Sequence, residues 1–103
     1  MRIRTLIITF AMALVAAAGA RAADPAEGQA IAQRWCASCH LVSPEQERAM
    51  DGVPSFQAIA ARGDLTGETL EAFLTDPHPV MPDMALTREE IADLTAYIDG
   101  LAE

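Results

Sequence analysis

Cys36-Ala37-Ser38-Cys39-His40 limits this chain more than any other stretch of it. The two cysteines are the only ones present, and a histidine directly follows the second. The chain has 103 residues, room for one domain at most. A core of this size is marginal and commonly leans on a disulfide, a metal or a cofactor. A bond between Cys36 and Cys39 would close a tiny loop, and the gain from a cross-link grows with loop size, so it would staple almost nothing. Something larger must hold the fold together.

The N-terminal stretch does not belong to that core. Met1-Arg2-Ile3-Arg4 is positively charged, residues 6–18 are apolar apart from Thr9, and Ala20-Arg21-Ala22 supplies the small-x-small pattern read by a signal peptidase. The apolar run is shorter than the roughly 20 residues of a stable bilayer-spanning helix. The expectation is a cleaved secretory leader over residues 1–22, or one residue longer, and a single domain over 23–103; the alternative is a retained N-terminal anchor. Residues 23–103 keep four arginines (Arg34, Arg48, Arg62, Arg88) against all fifteen carboxylates, with no lysine, a net charge of −11. Such a surface repels nucleic acid and anionic lipid, and it steers the molecule toward a basic docking patch on a partner. The same charge also keeps a small exported protein soluble.

The remainder reads as helical, with no run of alternating β-branched residues. A first helix is predicted from Asp24-Pro25, as cap and first helical position, through Ile31 and Trp35 into the cysteine motif. Residues 41–53 read as a loop, with Ser43-Pro44, a charged run of Glu45, Glu47 and Arg48, and the turn pair Asp51-Gly52. A short helix is predicted over 54–61, carrying Phe56 and Ile59 inward and stopping at Gly63. Another is predicted over 67–75, capped by Thr66, with Leu70, Phe73 and Leu74 as its apolar face. Pro77, Pro79 and Pro82 then impose an extended segment. Thr87 with Glu90 forms a capping box for a last helix, in which Ile91, Leu94, Ile98 and Leu101 recur at helical spacing.

On a helical chain, C-x-x-C-H is a haem-attachment signal. Two thiols about one helical turn apart can each add to one of the two vinyl groups on a single porphyrin edge. The next residue then lies beside the ring, where an imidazole binds iron axially. A thioredoxin-like dithiol would sit between a strand and a helix, and no such strand is present. A zinc site would need more ligands than the distant His78. The expected cofactor is one haem c, held by Cys36 and Cys39 with His40 as proximal iron ligand. Attachment of this kind occurs outside the cytoplasm, which agrees with the leader.

The whole mature region resembles the class I cytochrome c family, in particular its small bacterial single-haem members. That resemblance implies an all-α, cytochrome c-like fold of three to four short helices around one covalently bound haem. The glycine eight residues before the first cysteine, where first and last helices cross closely in the family, is Gly28 here. The aromatic residue packed at that crossing is Tyr97, with Leu94 one turn earlier. The bulky residue the family often places four before the first cysteine is only Ala32, leaving Ile31 or Trp35 to fill that contact. The resemblance further implies a distal methionine before the last helix. Met81, followed by Pro82, a short spacer and the Thr87 cap, fits the small bacterial members; Met84 is the second choice and His78 the third. It also implies that the Pro54 carbonyl accepts the proton of the His40 ring nitrogen facing away from iron, unless Pro54 is an ordinary helix-start proline. Trp35 is expected in the core, Met50 in the loop near the haem edge, and Met12 in the leader.

The expected function is that of a soluble, monomeric periplasmic electron carrier with His/Met ligation and no stable membrane insertion once the leader is removed. From a different class comes a cytochrome c subunit or docking module of a periplasmic dehydrogenase or terminal oxidase. A haem enzyme would require an open distal site, and with both axial positions filled the iron only gains or loses an electron. The chain is therefore expected not to be an enzyme.

Overall fold

The computed structural model describes residues 21–76 and 81–102. Within them run four helices and no strand: α1 (Pro25–Trp35), α2 (Phe56–Ala61), α3 (Gly67–Thr75) and α4 (Arg88–Gly100). Each begins where a short polar side chain can take one of the free amides of the first turn. Asp24 accepts from the Ala26 amide at 2.9 Å, with Pro25 in the first turn. Ser55 accepts from the Ala58 amide at 3.0 Å, so α2 starts at Phe56, two residues later than its pattern suggested, and Pro54 stays outside it. Thr66 caps α3 in a reciprocal box with Thr69, whose hydroxyl replaces the usual Glu or Gln. In α4 the Glu90 amide donates to Thr87 at 3.1 Å, and the Glu90 carboxylate accepts from the Thr87 amide at 2.7 Å.

The last helix is the axle of the molecule. Ile91, Leu94 and Ile98, all buried, form one stripe along α4, against which α1, α2 and α3 all pack. Ala32 of α1, Phe56 and Ala60 of α2, and Leu70 and Leu74 of α3 complete the buried core. The α1–α4 crossing is the closest contact. A Cβ added at Gly28 would lie 2.0 Å from the Asp93 carbonyl oxygen and 2.8 Å from the Tyr97 Cβ, so only glycine fits there. Two polar bonds anchor α4, one to the start of α1 and one to the segment after the cysteine motif. The buried Asp93 carboxylate accepts from the Asp24 amide at 2.7 Å, joining the start of α1 to α4. From the next turn of α4, the Tyr97 hydroxyl donates to the Val42 carbonyl.

Two expectations about the core need correction. Trp35 is 48% exposed and is not a core residue; Ile31, partly buried, packs against the core beside the fully buried Ala32. Phe73 is 47% exposed and, with Leu70 and Leu74, lines the cavity described below instead of the core stripe beside α4. Pro77, His78 and Pro79 lie outside the described residues, as does the leader up to residue 20.

Candidate cofactor site

The end of α1 delivers the motif. Cys36 caps the helix, its amide still bonded to the Ala32 carbonyl at 2.9 Å, and the chain continues in a tight turn in which the His40 amide reaches the Cys36 carbonyl at 2.9 Å. Both cysteines are free thiols, Cys36 buried and Cys39 half-buried, and both line one cavity with His40. That cavity has a volume of about 290 Å³. Leu70 and Leu74 of α3 and Leu94 and Ile98 of α4 form its buried apolar wall, and Trp35, Met50 and Phe73 stand at its exposed margin.

His40 is held in a defined state. Its Nδ1 lies 2.6 Å from the Pro54 carbonyl oxygen, and a carbonyl can only accept, so Nδ1 carries the proton. With its proton on Nδ1, the neutral form of the ring has its lone pair on Nε2, the atom that would bind a metal. Phe56 packs on the imidazole at a centroid distance of 5.3 Å and a tilt of 49°, which restricts ring rotation. The role of Pro54 is thus the hydrogen-bond partner of His40, one residue ahead of the Ser55 cap.

The segment before α4 brings two thioethers to the same cavity. Met81 and Met84 are both half-buried, pack against the core and line the cavity that His40 lines. Met84 also borders a second cavity of about 200 Å³, shared with Leu74, Asp83 and Ile91. The chain turns sharply after it: Ala85 has φ 51°, and the Asp83 carboxylate accepts from the Ala85 amide at 2.8 Å. His78, the third candidate ligand, lies outside the described residues.

This donor set has a specific chemistry. Burial first, and then the neighbouring Cys39, push the Cys36 thiol up to about 11. A redox dithiol works by the opposite shift, since its attacking sulfur must be a thiolate near neutral pH. Among the described residues no group of three or more His, Cys, Asp or Glu side chains could hold a metal ion, which removes the zinc reading there. What remains is an imidazole bonded through Nδ1, two thiols on one turn and two thioethers around an apolar cavity. Those residues fit an iron porphyrin, with thiols for its vinyl edge and nitrogen and thioether donors for its axial positions.

Known proteins agree with this chemistry. A family model described as cytochrome c oxidase, cbb3-type, subunit III, matches residues 23–98. The chain belongs to the cytochrome c family. Cytochrome c-552 of Bradyrhizobium diazoefficiens is 44% identical to this cytochrome c over 101 residues, covering 98% of this chain and 96% of that protein. No solved structure matches. The three helices packed about α4 make the cytochrome c fold, and the cofactor of that family is haem.

One contributor to the site gave little warning in the sequence. Gln46 sits among Glu45, Glu47 and Arg48 in what reads as a solvated charged run, yet it is half-buried and its side chain bonds to four backbone groups around the motif. The signal, visible only in retrospect, is a neutral amide amid charges six residues after the histidine.

Proposed function

We propose that this cytochrome c is a periplasmic single-electron carrier with one haem attached through Cys36 and Cys39 and ligated by His40 and Met81. The observation that carries this reading is that one apolar cavity is lined by both thiols, by the Nδ1-protonated His40 and by Met81. Bound there, the haem supplies a one-electron iron couple. Pro54 orients the imidazole and increases its basicity. A neutral thioether from Met81, together with the dry wall of Leu70, Leu74, Leu94 and Ile98, disfavours the extra positive charge of the oxidised state and so raises the potential. Met81 is preferred over Met84 because Met84 is shared with the neighbouring cavity. With His40 and Met81 both holding the iron, no open position would be left for enzyme chemistry.

Export supports the location: thioether attachment belongs outside the cytoplasm, and the N-terminal stretch reads as a cleavable leader. No helix among the described residues is long and apolar enough to cross a membrane. The acidic surface favours a redox partner with a basic docking patch, engaged by a monomer. The description of the matching family favours a second reading, in which the domain serves as a subunit or docking module of a terminal oxidase.

A pyridine haemochrome assay on natively matured protein, with intact mass spectrometry, tests the attachment. One covalent haem on a chain that starts near Ala23 is expected. A colourless polypeptide mass would refute the reading. For the ligand, Met81→Ala should abolish the iron–thioether charge-transfer band of the oxidised protein and lower its potential, while Met84→Ala keeps the band. The reverse pattern would assign Met84. Size exclusion of native extract separates a free carrier, which runs as a small monomer, from an oxidase subunit.

A further inference from the structure

Four consecutive carbonyls, those of residues 39–42, all accept hydrogen bonds. The Met50 amide donates to Cys39 at 3.1 Å, Gln46 Nε2 to His40 at 2.9 Å, the Phe56 amide to Leu41 at 2.9 Å, and the Tyr97 hydroxyl to Val42. Three of these donors come from the backbone or from α4. The fourth, which holds the carbonyl of the histidine itself, is a side chain from the loop.

We propose that Gln46 is the positioning residue for His40, fixing the imidazole for its axial bond; this rests on reading the cavity as a c-type haem site. Both N–H groups of Gln46 are engaged, and so is its oxygen. Its Oε1 accepts from the Val42 amide at 3.0 Å, and its Nε2 donates to the carbonyls of Ala37, His40 and Arg48, each at 2.9 Å. Two N–H groups shared among three acceptors make a partly bifurcated arrangement that no other side chain of this length reproduces. Glutamate lacks the donors, and lysine lacks the acceptor for Val42.

The four partners explain what the contact does. Ala37 and His40 belong to the motif turn, Val42 follows it, and Arg48 belongs to the loop that leads on to Pro54. One amide therefore ties together the two backbone segments whose separation sets the 2.6 Å contact between His40 Nδ1 and Pro54. Without it, three carbonyls lose a donor, and only the Met50–Cys39 and Phe56–Leu41 backbone bonds still hold the motif turn to the loop. The Nδ1–Pro54 bond then opens more often.

The test is exchange of the His40 Nδ1 proton with D2O in the reduced, diamagnetic holoprotein, followed by NMR. Gln46→Leu removes every bond; Gln46→Glu keeps the volume and the Val42 contact but supplies no donor. Thr87→Ala, which weakens a helix cap that makes no contact with His40, is the control for general destabilisation. Both Gln46 variants are expected to exchange this proton about tenfold faster or more, because the bond's opening governs exchange, while Thr87→Ala matches the wild type. The Glu variant carries the test if the Leu variant fails to mature. Unchanged exchange in the Gln46 variants, or an equal rise in Thr87→Ala, would overturn the inference while leaving the haem reading intact. A wild type with no haem in the haemochrome assay would overturn both.

Discussion

Adding one methyl group at Gly28 should damage this protein more than most larger changes elsewhere. Alanine is the better helix former by about 1 kcal/mol, so propensity alone makes Gly28→Ala stabilising at the end of the first turn of α1. The crossing reverses the sign. The new Cβ would stand 2.0 Å from the Asp93 carbonyl oxygen, 2.6 Å from its carbon and 2.8 Å from the Tyr97 Cβ. Ordinary contact begins at 3.4 Å, so α1 and α4 must part by about 1.4 Å at that point. Two of the three obstructing atoms are helix backbone, which cannot rotate away. Overpacking of this kind costs about 3 kcal/mol, at the upper end of the usual range because backbone has to move. Parting the helices also strains the Asp93–Asp24 bond and the Tyr97–Val42 bond, worth about 1 kcal/mol each when lost. With one of those bonds lost and the propensity gain deducted, the net loss is about 3 kcal/mol. For a domain of this size that lowers the melting temperature by roughly 12–24 °C. Thermal melts of oxidised holoprotein, followed by helical circular dichroism and by the haem band, measure it. A variant that melts at or above the wild-type temperature would show that the helices do not meet as closely as described.

Tyr97→Phe removes the hydroxyl that donates to Val42 and should cost about 1 kcal/mol in denaturant titration. Burial, and then Glu45, raise the Tyr97 phenol above its ordinary 10.0. The folded state therefore keeps that proton after the unfolded chain has lost it, so the tyrosine's contribution is intact below pH 10 and fades as pH rises beyond it. The stability gap between wild type and Tyr97→Phe should accordingly narrow in alkaline titration, and a widening gap would reverse the argument. Cys36→Ala combined with Cys39→Ala should yield an unstable chain without covalent haem, because a cofactor that binds only the folded state contributes directly to its stability. A colourless double variant that melts like the wild type would count against a haem-dependent core. Reduction by a partner with a basic surface should slow as ionic strength rises, and stopped-flow rates independent of salt would exclude electrostatic steering.

How much of this was legible in the sequence follows from the range of the forces involved. The caps at Asp24, Thr66 and Thr87 are local, each decided within four residues, and their helices begin where the residues say. Cys36, Cys39 and His40 share one turn, so their convergence on one cavity is local as well. Phe73 and Trp35 are different: both are apolar, but whether an apolar residue faces the core or the margin of a cavity depends on which neighbours already fill the stripe. That is a property of packing among helices, not of periodicity within one. Gln46 is the extreme case. Its partners are backbone groups of Ala37, His40, Val42 and Arg48, and a backbone carbonyl has no letter in the sequence. A polar side chain that satisfies backbone rather than another side chain leaves no complementary residue to be noticed. The same reason hides Tyr97, whose aromatic ring marks the helix crossing while its hydroxyl holds Val42, 55 residues away. The two thiols and the imidazole could be named from the spacing of one motif, and Met81 and Pro54 only through a family resemblance. Gln46 could not be named at all, because it acts on the chain's common backbone.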